Sequence, residues 1–254
     1  MLLQAKVNAD TETYVAWNWL GGNATSGTGD FTQGSIASTC SRNVDAGFSI
    51  VSYTGSGTTG TVGHGLNSTP EMYIVKCRSV EPTAWAVFHE AIGNDKRLGL
   101  DSAGAETATN NWDSTSPTAD LFTVYGGEDR VNDSTETYLT FCFHSVDGYS
   151  KVGSYKGNIS SGTADGTYVY TGFRPAWVLI KDTEQSVDWA LYDSKRLGYN
   201  QSNYKLEPSN TSAEQPTTTH IQLNSNGFNF MTDNSNYDGR VYIYLAFAET
   251  PFKH

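Results

Sequence analysis

Tyr242-Ile243-Tyr244-Leu245-Ala246-Phe247 decides how the rest of the chain is read. In an extended backbone, successive side chains point to opposite faces, so Ile243, Leu245 and Phe247 share one side. The same arrangement occurs in Tyr138-Leu139-Thr140-Phe141-Cys142-Phe143 and in Tyr14-Val15-Ala16-Trp17-Asn18-Trp19. Each copy carries three large apolar groups on one side, and a Tyr with smaller or more polar groups on the other. Period-two alternation of aromatic and β-branched residues predicts a strand with one face in a core. The lead-ins agree: Val7-Asn8 with Thr11-Glu12-Thr13-Tyr14 recurs as Val131-Asn132 with Thr135-Glu136-Thr137-Tyr138. Each hexapeptide therefore reads as the closing strand of a repeated β module.

Working backwards from the closing strands, two matching series emerge. Gly47-Phe48-Ser49 opens the first and Gly148-Tyr149-Ser150 the second. Pro70 precedes Met72 to Lys76 as Pro175 precedes Trp177 to Lys181, and Trp85-Ala86-Val87-Phe88 is answered by Trp189-Ala190-Leu191-Tyr192. Lys96-Arg97-Leu98-Gly99 returns letter for letter as Lys195-Arg196-Leu197-Gly198. The period is about 100 residues, the size of one sandwich domain. No stretch carries a helical apolar stripe; the best candidate, His89 to Arg97, is interrupted by Gly93. The expected fold is all-β, with two tandem β-sandwich, jelly-roll-like modules at 47–147 and 148–254. They follow an N-terminal strand and a Gly/Ser/Thr-rich connector at 1–46, which holds one short strand at Ser35 to Ser38. The strand in residues 1–20 closes the first module, a domain upstream, or the sheet of another chain.

Composition narrows the class. The 254 residues include 15 Tyr, 11 Phe and 6 Trp, enough aromatic volume for a core, while only 17% are charged. The net charge of −11 opposes binding to phosphate backbones, so no nucleic-acid partner is expected. The apolar runs are too short for membrane insertion, and no basic–apolar secretory leader is visible. Cys40, Cys77 and Cys142 are odd in number and lack metal-ligand spacing, so free thiols made in a reducing cytoplasm are expected.

Gly47 to Gly55, then Val62-Gly63-His64-Gly65-Leu66 and Pro70, resembles a module of tail-fibre-like and other virion proteins of marine bacteriophages. The endings Thr13 to Trp19 and Tyr242 to Glu249, with Pro251-Phe252-Lys253, resemble the same family. The resemblance spans nearly the whole chain. It implies a virion location after synthesis in the host cytoplasm, other virion proteins as partners, and a homo-oligomer.

Catalytic patterns are sparse. None of His64, His89, His144, His220 and His254 stands in a metalloprotease spacing, and there is no G-x-S-x-G elbow or phosphate-binding glycine loop. His64 reads as a turn histidine bonded to backbone. A glycosidase needs two carboxyls across a cleft; Glu128 with Asp129 and Asp133, or Asp233 with Asp238, would have to supply them. Asp233-Asn234-Ser235-Asn236-Tyr237-Asp238-Gly239 concentrates oxygen ligands, which makes Asp233 and Asp238 weak calcium candidates against the plainer reading of an Asx-rich hairpin. No cofactor is expected. The duplicated Lys96-Arg97 and Lys195-Arg196 suit an anionic sugar or lipopolysaccharide phosphate, or else preserve a structural salt bridge or a guarded strand edge. Tyr199, Tyr204 and Tyr237 lie in polar loops and are candidates for stacking on sugar, whereas Trp85 and Trp189 fit a core role.

The function expected is that of a non-enzymatic phage virion protein, a tail-fibre or adhesin module contacting host surface glycans. The alternatives are a capsid-decoration or tail-assembly protein exchanging a strand through residues 1–20, and a polysaccharide-cleaving enzyme.

Overall fold

A computed structural model describes residues 14–22, 25–26, 33–162, 165–196 and 201–250, and in it the closing strands become the centres of two antiparallel ladders. Thr137–Phe143 lies between Phe48–Thr54 and Met72–Cys77, with Ala86–His89 beyond. Val241–Ala248 lies between Ser150–Lys156 and Pro175–Asp182, with Ala190–Asp193 beyond. The two orders correspond strand for strand. The first sheet is extended to eight strands by Thr25–Ser26 and Ser38–Asn43 on one side and by Lys96–Gly99 and Thr107–Ala108 on the other.

Each central sheet is covered by a smaller one. Gly60–Gly63 pairs with Leu121–Val124 over the first. Over the second lies a four-stranded sheet in the order Tyr168–Tyr170, Gly227–Phe230, Gln215–Asn224, Gln201–Lys205. The all-β expectation holds, and the helical content among the described residues is one 3-10 turn, Glu90–Ile92. None of the described helices is long and apolar enough to cross a membrane.

The large apolar faces of the closing strands do not look into their own modules. Phe143 and Phe141 meet Ile243, Leu245 and Phe247 in one core between the two central sheets, joined by Phe48, Met72, Ile74, Trp177 and Leu179. The opposite faces fill the modules themselves: Tyr138 and Cys142 in the first, Tyr242, Tyr244 and Ala246 in the second. The central strand of the second sheet is therefore buried on both sides, with Tyr242 to Phe247 buried without interruption, whereas Leu139 and Phe141 of the first are half-buried. A strand buried on both sides loses clean polar–apolar alternation because neither face meets water. The core reading of Trp189 fits this packing: it is 1% exposed, and its indole N–H donates across the shared core to the Gly99 carbonyl at 2.7 Å.

The N-terminal arm departs from expectation. Residues 14–20 form no ladder, and residues 1–13 lie outside the described residues. Trp17 and Trp19 pack onto the shared core, with the Trp19 ring 5.3 Å from both Trp177 and Phe247. The copy at 14–19 keeps the apolar spacing of a closing strand but uses it to pack Trp17 and Trp19 on the shared core. The connector also differs. Ser38–Asn43 forms a hairpin with Phe48–Thr54 through the turn at 44–47, where Gly47 adopts φ +61°. A boundary at residue 47 thus cuts a hairpin, and the short strand read at Ser35 to Ser38 begins later, at Ser38.

His64 is buried, accepts the Leu66 N–H on Nδ1 at 3.2 Å and lies 3.2 Å from the Thr118 carbonyl through Nε2. His89 is buried too and accepts the Ala91 N–H on Nδ1 at 3.1 Å. Burial disfavours the imidazolium and lowers both pKa values to about 4. An unfolded chain titrates these histidines near 6.5, so between about 6.5 and about 4 it binds more protons than the folded chain. The contribution of the two histidines to stability is therefore expected to be constant above pH 6.5 and to fall as the pH drops towards 4, by about 3 kcal/mol per histidine. Urea titrations across this range measure it, and His64→Gln should flatten the slope. Leu245→Ala should cost about 2–5 kcal/mol and leave a single unfolding transition for both modules, because the core it weakens is common to them.

Candidate functional site

The loop before each closing strand is held by the same device. Tyr53 donates to the Val131 carbonyl at 2.6 Å and stacks on Tyr138 with centroids 5.2 Å apart. Tyr138 Oη in turn donates to the Asp129 carbonyl at 2.9 Å and accepts the Asp133 N–H at 2.8 Å. In the second module Tyr155 donates to the Ser235 carbonyl at 2.5 Å, stacks on Tyr242 at 5.1 Å, and Tyr242 Oη accepts the Tyr237 N–H at 3.0 Å. The buried Asn132 accepts the Ser56 N–H and donates to the Thr58 carbonyl, while Asn236 donates to Asn158. A Cβ on Gly55 would lie 2.0 Å from the Asp133 carbonyl, and one on Gly157 would lie 2.2 Å from that of Tyr237. Glycine is required where the backbones approach this closely. Both loops are thereby rigid platforms for whatever side chains they present.

On the first platform, Arg130 and Glu128 border a polar pocket of about 520 Å³ together with Asp95, Arg97, Thr109, Asn110 and Ser114. Trp112 places the far wall: its buried indole donates to the Lys96 carbonyl at 2.9 Å and draws the 109–116 loop against the Lys96–Gly99 strand. The backbone of Arg97 pairs with Thr107, but among the described residues its side chain has no hydrogen bond or ion pair. Burial, and then the neighbouring Arg130 guanidinium, lower its pKa, while Glu128, Asp129 and Asp101 oppose that shift. Arg130 reaches Asp129 at 3.7 Å, and its buried Nε has no hydrogen-bond partner. Two guanidiniums with donors to spare suit an anionic group bound in two-point fashion. Asp95 and Glu128 in the same wall can accept hydroxyl protons, so the lining fits a polyhydroxylated acid better than a bare anion.

On the second platform, Asp233, Tyr237 and Arg240 border a smaller pocket of about 190 Å³ with Asp182 and Asp188. Arg240 lies over the Tyr237 ring at 4.3 Å and reaches the buried Asp182 at 3.2 Å. Asp182 also accepts the N–H groups of Glu184 and Gln185. Beneath it the Lys181 ammonium donates to the Asp182 and Gln185 carbonyls, and burial lowers its pKa to about 8. Asp238 points elsewhere, towards Ser160 Oγ at 3.5 Å. Asp233 and Asp238 are thus not brought together, and the described residues contain no group of three His, Cys, Asp or Glu placed to hold a metal.

The duplicated Lys-Arg pairs have different fates. Lys96 is tied to Glu106 and Arg97 faces the pocket. Lys195 is 80% exposed with Glu249 at 4.0 Å, whereas Arg196 is locked to Asp193 and Glu214 and donates to the Leu191 and Tyr204 carbonyls. The structural salt-bridge reading therefore describes Lys96 and Arg196. The sequence signal is the residue two places before each lysine: Asp193 supplies a carboxylate to Arg196, while the corresponding Asn94 has none and bonds to Ser116. Tyr204 is half-buried on the Gln201–Lys205 strand, and Tyr199 lies outside the described residues. Arg130, Asn110 and Ser114 were not singled out by sequence. Arg130 was visible as the charged member of the loop where the second module has Asn234.

Removing Arg196 strands the buried Asp193 carboxylate, so Arg196→Ala should cost roughly 3–5 kcal/mol. Arg97→Ala should leave stability within about 0.5 kcal/mol of the parent or raise it, since it relieves repulsion from Arg130. Guanidinium denaturation of the two variants checks the contrast.

No curated protein and no solved structure matches the chain. Residues 2–251 match the model of a domain of unknown function, DUF7483. The chain belongs to the DUF7483 family.

Proposed function

We propose that this protein is a non-enzymatic virion adhesin module, carried on a tail fibre or a related structure, that binds acidic glycans of the host surface. The observation that carries the glycan reading is the pocket in which the unpaired Arg97 and the neighbouring Arg130 stand among Asp95, Glu128, Thr109, Asn110 and Ser114. A uronate carboxylate or a sugar phosphate takes the guanidiniums, and ring hydroxyls take the carboxylates and the loop amide and hydroxyls. The virion setting rests on the resemblance of the Gly47–Gly55 and Tyr242–Glu249 stretches to phage proteins. A pocket this open gives weak single contacts, and many copies on one particle convert them into firm attachment.

A second reading has an observation of its own. Tyr14, Val15 and Leu20 of the arm are exposed beside the buried edge of Trp19, a surface suited to a neighbouring subunit in a capsid-decoration or tail-assembly protein. Deleting residues 1–20 tests it: assembly into particles that survives the deletion removes this reading.

The glycan reading is tested by native electrophoresis through gels holding alginate, a polyuronate, or phosphorylated mannan. The intact chain should be retarded, less so as salt rises, and the Arg97→Ala/Arg130→Ala variant should lose at least about tenfold in affinity. Retardation by only one of the two gels identifies the carboxylate or the phosphate as the group bound. Release of shorter fragments from either polymer would instead establish a polysaccharide-cleaving enzyme.

A further inference from the structure

Among the described residues no further layer covers the outer face of the four-stranded sheet in the second module, where Tyr168 and Tyr170 are exposed. Val169, Phe228, Phe230, Ile221 and Leu223 point inwards to the module core. The alternate residues face out, and register sets them in two rows. Tyr168 lies opposite Asn229, which lies opposite Gln222; Tyr170 lies opposite Gly227, which lies opposite Asn224. None of these side chains is charged, although the whole chain carries −11.

The two tyrosines are 47% and 66% exposed, which is unusual for large aromatic groups in a chain that buries most of its rings. Tyr168 is also fixed in place. Its hydroxyl donates to Asn226 Oδ1, and its ring lies across Gly227: a Cβ there would stand 2.9 Å from Tyr168 Oη and 2.2 Å from the Val169 carbonyl. The glycine lets the ring lie against the sheet with its outer face to solvent. Tyr170, two residues along, stands about 7 Å away on the same face. Beside them Asn224 donates to Asn229 Oδ1 at 2.7 Å, which orients both amides.

We propose that this face is a second glycan-binding surface, which takes the chain of a neutral polysaccharide. A pyranose ring presents an apolar C–H face that stacks on tyrosine and an equatorial rim of hydroxyls that both donate and accept, as carboxamides do. The absence of charge decides the class. Among the described residues of this face a polyanion finds no cation and is opposed by the net charge, while a basic partner finds no carboxylate. Ring and amides are held before binding, so little ordering is needed when a sugar arrives. The inference rests on the reading of the protein as a glycan binder and adds a surface separate from the Arg97 pocket, with a different ligand chemistry.

The test is native electrophoresis of the full chain through gels containing laminarin, xylan or galactomannan, beside an alginate gel. At least one neutral polymer should retard the parent protein. Tyr170→Ala should weaken that retardation about tenfold or more, while Tyr170→Phe, which keeps the ring, should retain it. Neither substitution should alter the alginate result, and Arg97→Ala/Arg130→Ala should not alter the neutral one. Far-UV circular dichroism and melting temperature confirm that Tyr170→Ala is folded. If no neutral polymer retards the parent while alginate does, this inference fails and the glycan reading stands. Failure in every gel, including phosphorylated mannan, overturns both. Neutral retardation unchanged by Tyr168→Ala/Tyr170→Ala would place the neutral site elsewhere and overturn the assignment of this face. Self-association abolished by that double variant, without neutral retardation, would make the face a protein interface and equally overturn it.

Discussion

The face-to-face packing of Phe141 and Phe143 against Ile243, Leu245 and Phe247 is the constraint on which the rest of the molecule depends. Burying such side chains contributes about 1.5–3 kcal/mol each, and here both partners belong to the middle strands of their sheets. Neither module can present this face to water without exposing a broad apolar surface. The modules are therefore coupled, and the arm adds Trp17 and Trp19 to the same core. Trp189, bonded to Gly99 across it, adds a directional contact to an otherwise non-directional one.

That coupling assigns the remaining surfaces. With the second central sheet buried on both faces and the first largely so, chemistry is left to the outer layers and the loops. The stacked tyrosine pairs Tyr53–Tyr138 and Tyr155–Tyr242 tie the loop before each closing strand to its module. They do this with phenol groups whose pKa values burial raises, so the hydroxyls remain protonated hydrogen-bond donors. One scaffold thus presents two different pockets. The first carries Arg130 beside an unpaired Arg97, and the second carries Tyr237 beneath Arg240.

Much of the fold could be read from residue patterns because alternation is a local property. Leu139, Phe141 and Phe143 must share a side in any extended backbone, and the shared order of Pro, Trp and Lys-Arg marks located the sister strands. The candidate site was less accessible. Lys96-Arg97 and Lys195-Arg196 are identical pairs, yet Arg196 is neutralised by Asp193 and Arg97 is left facing Arg130, some thirty residues further along the chain. Asp233 and Asp238 are neighbours in sequence but turn to different surfaces, because the loop between them is bent around the buried Asn236.

By itself the sequence determined the all-β class and which side chains of the two central closing strands share a face, because period-two alternation is set by backbone geometry within a few residues. Only the tertiary structure decided which partner covers each face. A strand of alternating pattern specifies that its apolar side must be buried, and the hydrophobic effect, being non-directional, does not specify by what. The large residues of the two closing strands are satisfied by one another, the tyrosine sides by their own modules, and Trp17 and Trp19 by a core they join without forming a strand. The same holds for the polar groups: a guanidinium is a structural tie or a free donor according to which carboxylate the fold brings to it.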